Sequence, residues 1–249
     1  MNILYIVCHD LGRHLGCYGR PARTPHLDAF AAQSIRCDRA FCSTGVCSPS
    51  RAACLTGLHA HHNGLMGLAH FGWRYFPGVK TIVDHFNEAG FETVHCGLSH
   101  EGEEGASRYQ TDFEVSWDSQ LAENAVDDAV AWLRARKKQG RTAPFYMNLG
   151  TREVHPVVWR RDRDPDGKPS RFHRAYGGAV PLEEASLVAP TPDVPVLRED
   201  FARFEAAIRF FDGQMGRLFG ELERLGTYED TMVIFTTDHG MNDWHGKGC

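Results

Sequence analysis

The chain has 249 residues, 42% hydrophobic and 24% charged, which suits one well-filled core and leaves little room for long disorder. Its formal net charge is -5 and its pI is near 6.3, so nothing points to nucleic-acid binding, which requires a basic face. No apolar run approaches the ~18–20 residues of a helical membrane span, so none is expected.

Met1 leads directly into Ile3-Leu4-Tyr5-Ile6-Val7, which reads as a first strand rather than a secretory leader. As given, the chain is expected in the cytoplasm; trimming of upstream residues would make it periplasmic or secreted. Eight cysteines are present. Cys8, Cys37, Cys54 and Cys96 fall in expected strands or helices, where reduced cysteine acts as a small apolar residue. No Cys-x-x-Cys pair occurs, so neither a zinc knuckle nor a thioredoxin-like motif is available. His59-Ala60-His61-His62 reads as a solvated helix end rather than a zinc site.

Asn2–Cys8 is the first expected strand. Thr24-Pro25 then reads as an N-cap with proline at the first helical position, opening a helix to about Gln33. A second helix follows Ser48, and a third spans Thr81 to Ala89 and stops at Gly90. Phe91–Cys96 is the next strand, Asp118 to Lys138 a long amphipathic helix, and Pro144–Leu149 another strand. Residues 160–198 are an irregular excursion containing Pro165, Pro169, Pro181, Pro190, Pro192 and Pro195, of the kind that shapes a substrate mouth. A helix over Glu199 to Leu225 and a strand over Thr231–Thr237 complete the series. Each strand is a near-continuous apolar run, as burial on both faces demands. The expected fold is α/β, a mostly parallel central sheet with helices on both faces.

Ligands of an open α/β sheet bind beyond the carboxyl ends of its strands. Four expected strands lead there into polar residues: His9-Asp10, then His100 within Gly97-Leu98-Ser99-His100-Glu101, then Glu153-Val154-His155-Pro156, and Asp238-His239-Gly240. Asp10, Asp238 and His239 offer two carboxylates and an imidazole, the beginnings of a divalent-cation site. A helix N-cap at Asp10 and a turn at Asp238 are the alternative readings.

The segment Gly45-Val46-Cys47-Ser48-Pro49-Ser50-Arg51-Ala52-Ala53 contains Cys-x-Pro-x-Arg at the head of a helical stretch. Together with Thr56-Gly57-Leu58, Asn2-Ile3-Leu4 to Asp10-Leu11-Gly12, Gly16-Cys17-Tyr18-Gly19, Thr24-Pro25-His26-Leu27-Asp28 and Phe235-Thr236-Thr237-Asp238-His239-Gly240, it resembles the type I, formylglycine-dependent sulfatases of the alkaline-phosphatase-like superfamily. The same motifs recur in the same order over nearly the whole chain. The resemblance implies that a formylglycine-generating maturation enzyme oxidises Cys47 to an aldehyde. One hydroxyl of its hydrate attacks the sulfur of a sulfate ester or sulfamate; the other expels sulfate as the hemiacetal collapses. It implies that Arg51, one turn further on, holds the hydrate, that His100 and His155 contact the sulfate or protonate the leaving oxygen, and that Lys247 binds the sulfate. The implied metal ligands are Asp10, Asp238, His239 and the modified Cys47 itself, with His9 as a fifth side chain, and the implied ion is calcium. A small-molecule or oligosaccharide sulfate is the implied substrate.

The chain departs from the family pattern in three places. His9 stands where relatives carry a carboxylate, which weakens the case for calcium relative to manganese or zinc, the alternatives. Leu98 stands where many carry a lysine, a charge that Arg152 or Lys247 would have to replace; Arg152 and Glu153 otherwise carry no assigned role. Relatives continue past Asp-His-Gly into more sheet and a smaller C-terminal domain. Residues 1–249 are therefore expected to be the N-terminal portion of a sulfatase catalytic domain, poorly active alone, with Thr231–Thr237 central in the complete sheet. Gly64-Leu65-Met66-Gly67-Leu68 and His70-Phe71-Gly72-Trp73 look most like the heparan N-sulfatase-like branch. Two other readings stand beside the sulfatase: a phosphonate or phosphate diester hydrolase of the same superfamily, and an inactive fragment or paralogue.

Overall fold

A computed structural model describes residues 1–20, 22–101, 107–159, 171–185, 187 and 191–241. In chain order the elements are β1 (Asn2–Cys8), α1 (Pro25–Ala32), α2 (Cys47–Thr56), α3 (Ala60–Asn63), α4 (Ile82–Glu88), β2 (Glu92–Gly97) and β3 (Thr111–Asp112). They continue with α5 (Ala122–Lys138), β4 (Phe145–Gly150), α6 (Arg171–Ala175), α7 (Pro195–Arg224) and β5 (Thr231–Thr237). Short 3-10 turns at Gly16–Tyr18, Ala69–Phe71, Asp118–Gln120 and Pro156–Val158 punctuate the connections.

All strand pairs are parallel, and the sheet order is β3-β2-β4-β1-β5. Alternation along each strand sends side chains to opposite faces. Leu4, Ile6 and Cys8 join one core with Val126 and Leu133 of α5 and Phe201, Phe204, Phe211 and Leu218 of α7. On the other face Phe86 of α4 stacks on Tyr146 of β4 at 4.6 Å, and Tyr5 meets Cys54 of α2. The sheet is thus covered on both sides. Each fully buried aromatic or aliphatic side chain contributes about 1.5–3 kcal/mol, so the row on α7 anchors that helix firmly.

One expectation stays open: within residues 1–249 β5 is an edge strand among the described residues, paired only with β1, with Met232 and Ile234 46% and 40% exposed, which does not bear on its place in a longer sheet. One parallel neighbour suffices to bring its carboxyl end beside that of β1. Other expectations are corrected. Helix α7 begins at Pro195, four residues before Glu199, because proline at N1 needs no N–H and starts a helix as readily as it interrupts an irregular segment. Thr24 holds the N-cap position of α1 but its side chain does not cap. Its hydroxyl accepts from Gly16 N–H at 2.9 Å and donates to Asp28 Oδ1 at 3.0 Å. Asp212 of α7 takes over, accepting from the backbone N–H groups of His26 at 3.2 Å and Leu27 at 2.8 Å. Cys37 lies in an exposed loop rather than a strand or helix, and Cys54, though helical, is exposed. Thr81 does form the expected start of α4, as a capping box with Asp84. Among the described residues no helix is long and apolar enough to cross a membrane.

Candidate active site

Register brings the strand ends level. Val7 pairs with Gly150, Gly97 with Gly150, and Cys8 with Thr237, so β1, β2, β4 and β5 deliver their next residues to one edge. Asp10 and His100 both adopt positive φ, 58° and 59°. Non-glycine residues hold that conformation only where the surroundings impose it, and it recurs at functional sites.

The fourth wall is α2. Pro49 falls in its first turn, where backbone N–H groups have no intrahelical acceptor, so proline costs nothing there. Cys47 opens the helix at its electropositive end, and Arg51, one turn later, lies on the same buried face. Ser50 Oγ donates to Asp238 O, fastening this turn to the end of β5.

Five side chains converge here. Ligating atoms of His9, Asp10, Cys47, Asp238 and His239 all lie within 4.8 Å of one another, and all five residues are buried. His9 Nε2 is 2.9 Å from Cys47 Sγ and 3.5 Å from both Asp10 Oδ1 and Asp238 Oδ2. His239 Nε2 is 3.3 Å from both Cys47 Sγ and Asp10 Oδ1. Asp238 is fixed on both oxygens: Oδ1 accepts from Asp10 N–H at 3.0 Å and His239 N–H at 2.9 Å, while Oδ2 accepts from Arg51 Nε at 3.1 Å.

The donor set fits a divalent cation. His239 Nδ1 lies 2.8 Å from Gly240 O, and a carbonyl can only accept, so in the neutral ring the proton sits on Nδ1. The Nε2 lone pair then faces a carboxylate oxygen of Asp10, a pair of acceptors that a shared cation turns into attraction. Two carboxylates with two imidazoles form a mixed oxygen–nitrogen set of the kind that suits manganese or zinc as well as calcium.

Arg51 Nη1 donates to Leu98 O at 2.9 Å, while Nη2 is buried with no hydrogen-bond partner among the described residues. Burial alone would favour the neutral guanidine, but Asp238, Cys47 and Glu101 outweigh it and hold Arg51 charged, above the ordinary arginine range. Leu98 points its carbonyl to this arginine and buries its side chain, so β2 supplies no cation there.

His100 and His155 line the same edge, with ring centroids 5.7 Å and 4.7 Å from that of His9. Burial, reinforced by Arg51 and Arg152, lowers the His100 pKa to about 3, so this ring is neutral near neutral pH. His100 Nε2 lies 3.3 Å from Nδ1 of His70, a contact between distant segments that no sequence spacing announced. His155 Nδ1 accepts from Val157 N–H at 3.1 Å, which leaves the proton of the neutral ring on Nε2, 3.8 Å from Asp10 Oδ2. Glu153 points away from the site, accepting from Ala122 N–H and the Tyr176 hydroxyl, each at 2.8 Å. Lys247 lies outside the described residues.

Comparison with known proteins identifies the family. The sulfatase family profile matches residues 1–242. Human N-sulphoglucosamine sulphohydrolase is 29% identical over 263 residues, covering 96% of this chain and 50% of the human protein. The chain thus spans about half the length of that curated relative. Among solved structures, the yidJ protein of Bacteroides fragilis matches with TM-score 0.74 and 19% identity over 96% of this chain and 62% of its own. The phosphonate monoester hydrolase of Agrobacterium radiobacter matches with TM-score 0.70 and 16% identity over 100% of this chain and 65% of its own. With a profile match over nearly its full length and a parallel sheet of this kind, the chain belongs to the sulfatase family.

Proposed function

We propose that this chain carries the catalytic site of a hydrolase that cleaves sulfate esters or sulfamates on a sulfated sugar, with Cys47 oxidised to formylglycine by a maturation enzyme and a divalent cation held by His9, Asp10, Asp238, His239 and the modified residue 47. The observation that carries the reading is the position of Cys47: first residue of α2, buried, and within 3.3 Å of two imidazole nitrogens at the edge where four strands end. The name of the human relative, an N-sulphoglucosamine sulphohydrolase, supports a sulfated amino sugar as substrate.

When bound, the cation supplies Lewis-acid polarisation of a sulfate oxygen and acidifies a neighbouring hydroxyl. The formylglycine hydrate supplies two hydroxyls on one carbon, a nucleophile and a second group to release the product. The chain's own residues do the rest. The N-terminus of α2 favours negative charge at residue 47. Arg51 keeps Nη2 available for an oxyanion, and Asp238 prevents the guanidinium from swinging away. Neutral His100 positions by hydrogen bonding rather than by charge. His155, with its proton on Nε2, is placed to hand that proton to the leaving oxygen or nitrogen.

That role makes a prediction. His155→Ala is expected to slow release of sulfate from an alcohol leaving group by about 100-fold or more, and to slow an activated aryl sulfate much less, because a good leaving group needs no proton. Equal losses with both substrates would assign His155 to binding instead.

The reading as a whole is tested on protein co-expressed with a formylglycine-generating enzyme. The tryptic peptide containing residue 47 is expected to show the aldehyde mass and to react with a hydrazide probe, and the protein to release sulfate. A peptide that stays entirely in the thiol form would sink the mechanism. The fold is shared with a phosphonate monoester hydrolase, so the substrate panel includes phosphonate monoesters. Faster turnover of these than of sulfate esters would move the assignment to that class.

A further inference from the structure

Arg152 stands two residues beyond β4, on the loop that leads to His155. Its backbone N–H donates to Gln120 O at 2.8 Å, and its Nε donates to Gln120 Oε1. Gln120 is fixed in turn: its Nε2 donates to Glu114 Oε1 at 2.7 Å, while Glu114 Oε2 accepts from Ser99 N–H at 2.9 Å, beside His100. The guanidinium carbon of Arg152 lies 3.5 Å from the centre of the Trp117 ring, where the π face attracts a cation. One edge and one face of this guanidinium are therefore committed to holding it still.

The other edge is not used. Among the described residues, Nη1 and Nη2 of Arg152 have no hydrogen-bond partner, and no carboxylate forms an ion pair with the group. Neither nitrogen belongs to the fully buried polar atoms, so both keep a path to solvent. The group is nonetheless half-buried, and it lies close enough to Arg51, Cys47 and His100 for their charges to act on one another. Burial, with Arg51 adding to it and Glu114 opposing, lowers its pKa to about 10, so it remains a cation at neutral pH. A half-buried guanidinium with no counter-ion is unfavourable unless something anionic completes it. Its free edge presents two parallel N–H donors, which match two oxygens of a sulfate or carboxylate. Arg51 Nη2, buried and without a hydrogen-bond partner among the described residues, is a second donor in the same electrostatic neighbourhood.

We propose that Arg152, stacked on Trp117 and aimed by Gln120, is a substrate-binding residue that takes an oxyanion of the sugar substrate through Nη1 and Nη2. This rests on the sulfatase reading for the identity of the substrate, but not for the presence of the anion site. The oxyanion is either the sulfate to be cleaved or a second anionic substituent on the same sugar.

The test has a binding arm and a kinetic arm. In the first, the unmatured protein is titrated with inorganic sulfate by calorimetry, with tryptophan fluorescence followed in parallel because Trp117 touches the guanidinium. In the second, KM and kcat of matured protein are measured on an aryl monosulfate and on a disulfated amino sugar. If Arg152 holds the sulfate to be cleaved, Arg152→Gln weakens inorganic sulfate binding about tenfold or more and raises KM on both substrates by a similar factor. If it holds a second anion, only KM on the disulfated sugar rises, and it rises by more than kcat falls. In either case Arg152→Lys recovers part of the loss by restoring the charge without the fork. Sulfate affinity and both KM values within about twofold of the parent, whatever happens to thermal stability, would overturn the proposal and leave Arg152 as a loop fastener. Matured parent protein that releases no sulfate would defeat the sulfatase reading alone, since the calorimetric arm still decides whether Arg152 binds an oxyanion.

Discussion

Asp238→Ala is expected to lose the bound metal, all measurable sulfate release and much of the protein's stability at once. Three separate attachments meet on that carboxylate. It belongs to the five-residue cluster, and a divalent cation loses a charged oxygen ligand that water replaces poorly. Its Oδ1 accepts the backbone N–H groups of Asp10 and His239, fixing the relative position of the β1 and β5 ends. Its Oδ2 neutralises Arg51, which is 4% exposed. Removing one partner of a buried ion pair costs about 3–5 kcal/mol, because the remaining charge is stranded. Asp238→Asn separates these effects, since the amide oxygen can still accept the two backbone N–H bonds while the charge is gone. The measurements are metal content by elemental mass spectrometry, the melting temperature and sulfate release. Metal occupancy equal to that of the parent in both variants would remove Asp238 from the ligand set.

Gly97→Ala should be the most damaging single-methyl change in the sheet. Gly97 has φ of 86°, a region that L side chains avoid, and a Cβ there would overlap Gly150 O. That oxygen cannot move, because it accepts Leu98 N–H at 2.9 Å. A Cβ on Gly150 would in turn overlap Leu98 O, the carbonyl that receives Arg51 Nη1. The paired glycines thus let two strand ends touch so that Leu98 O reaches Arg51, and His100 follows three residues after Gly97. Gly90→Ala is the control: φ is 79°, but the added methyl meets nothing within 4 Å. Backbone strain alone costs about 1–2 kcal/mol, so Gly90→Ala should lose about that much. Gly97→Ala should lose at least ~3 kcal/mol and most of the activity. Equal losses in chemical denaturation would show that the close approach of β2 and β4 carries no strain.

Local patterns were enough for much of this molecule. The apolar runs fixed β1 and β5 to the residue, and β2 and β4 to within one at each end, because short continuous apolar runs bounded by polar residues mark strands whether or not both faces end up buried. Cys-x-Pro-x-Arg placed Cys47 and Arg51 one turn apart on a single helix, and the polar residues after four strands marked the edge where the cluster assembles. Alternation of strand and helix determined the parallel sheet. What the sequence could not contain was any relation between distant segments. The two-residue strand β3 is too short to show periodicity, and the edge position of β5 depends on which strand it pairs with, not on its own residues. Thr24 has the chemistry of a cap, yet Asp212 caps α1, because α7 brings a carboxylate to the helix end from 185 residues away. The proton of His155 sits on Nε2 because the backbone of Val157 folds against Nδ1. Arg152 stands near His155 in the chain, where sequence offers it only as one of two cations that could replace the charge missing at Leu98; Trp117 and Gln120 give it a fixed direction only once the loop before α5 packs against the end of β4. Residue type and spacing determined which chemistry is present, whereas tautomers, charge pairing and open donors were decided by packing, since each depends on atoms that the chain brings together only when folded.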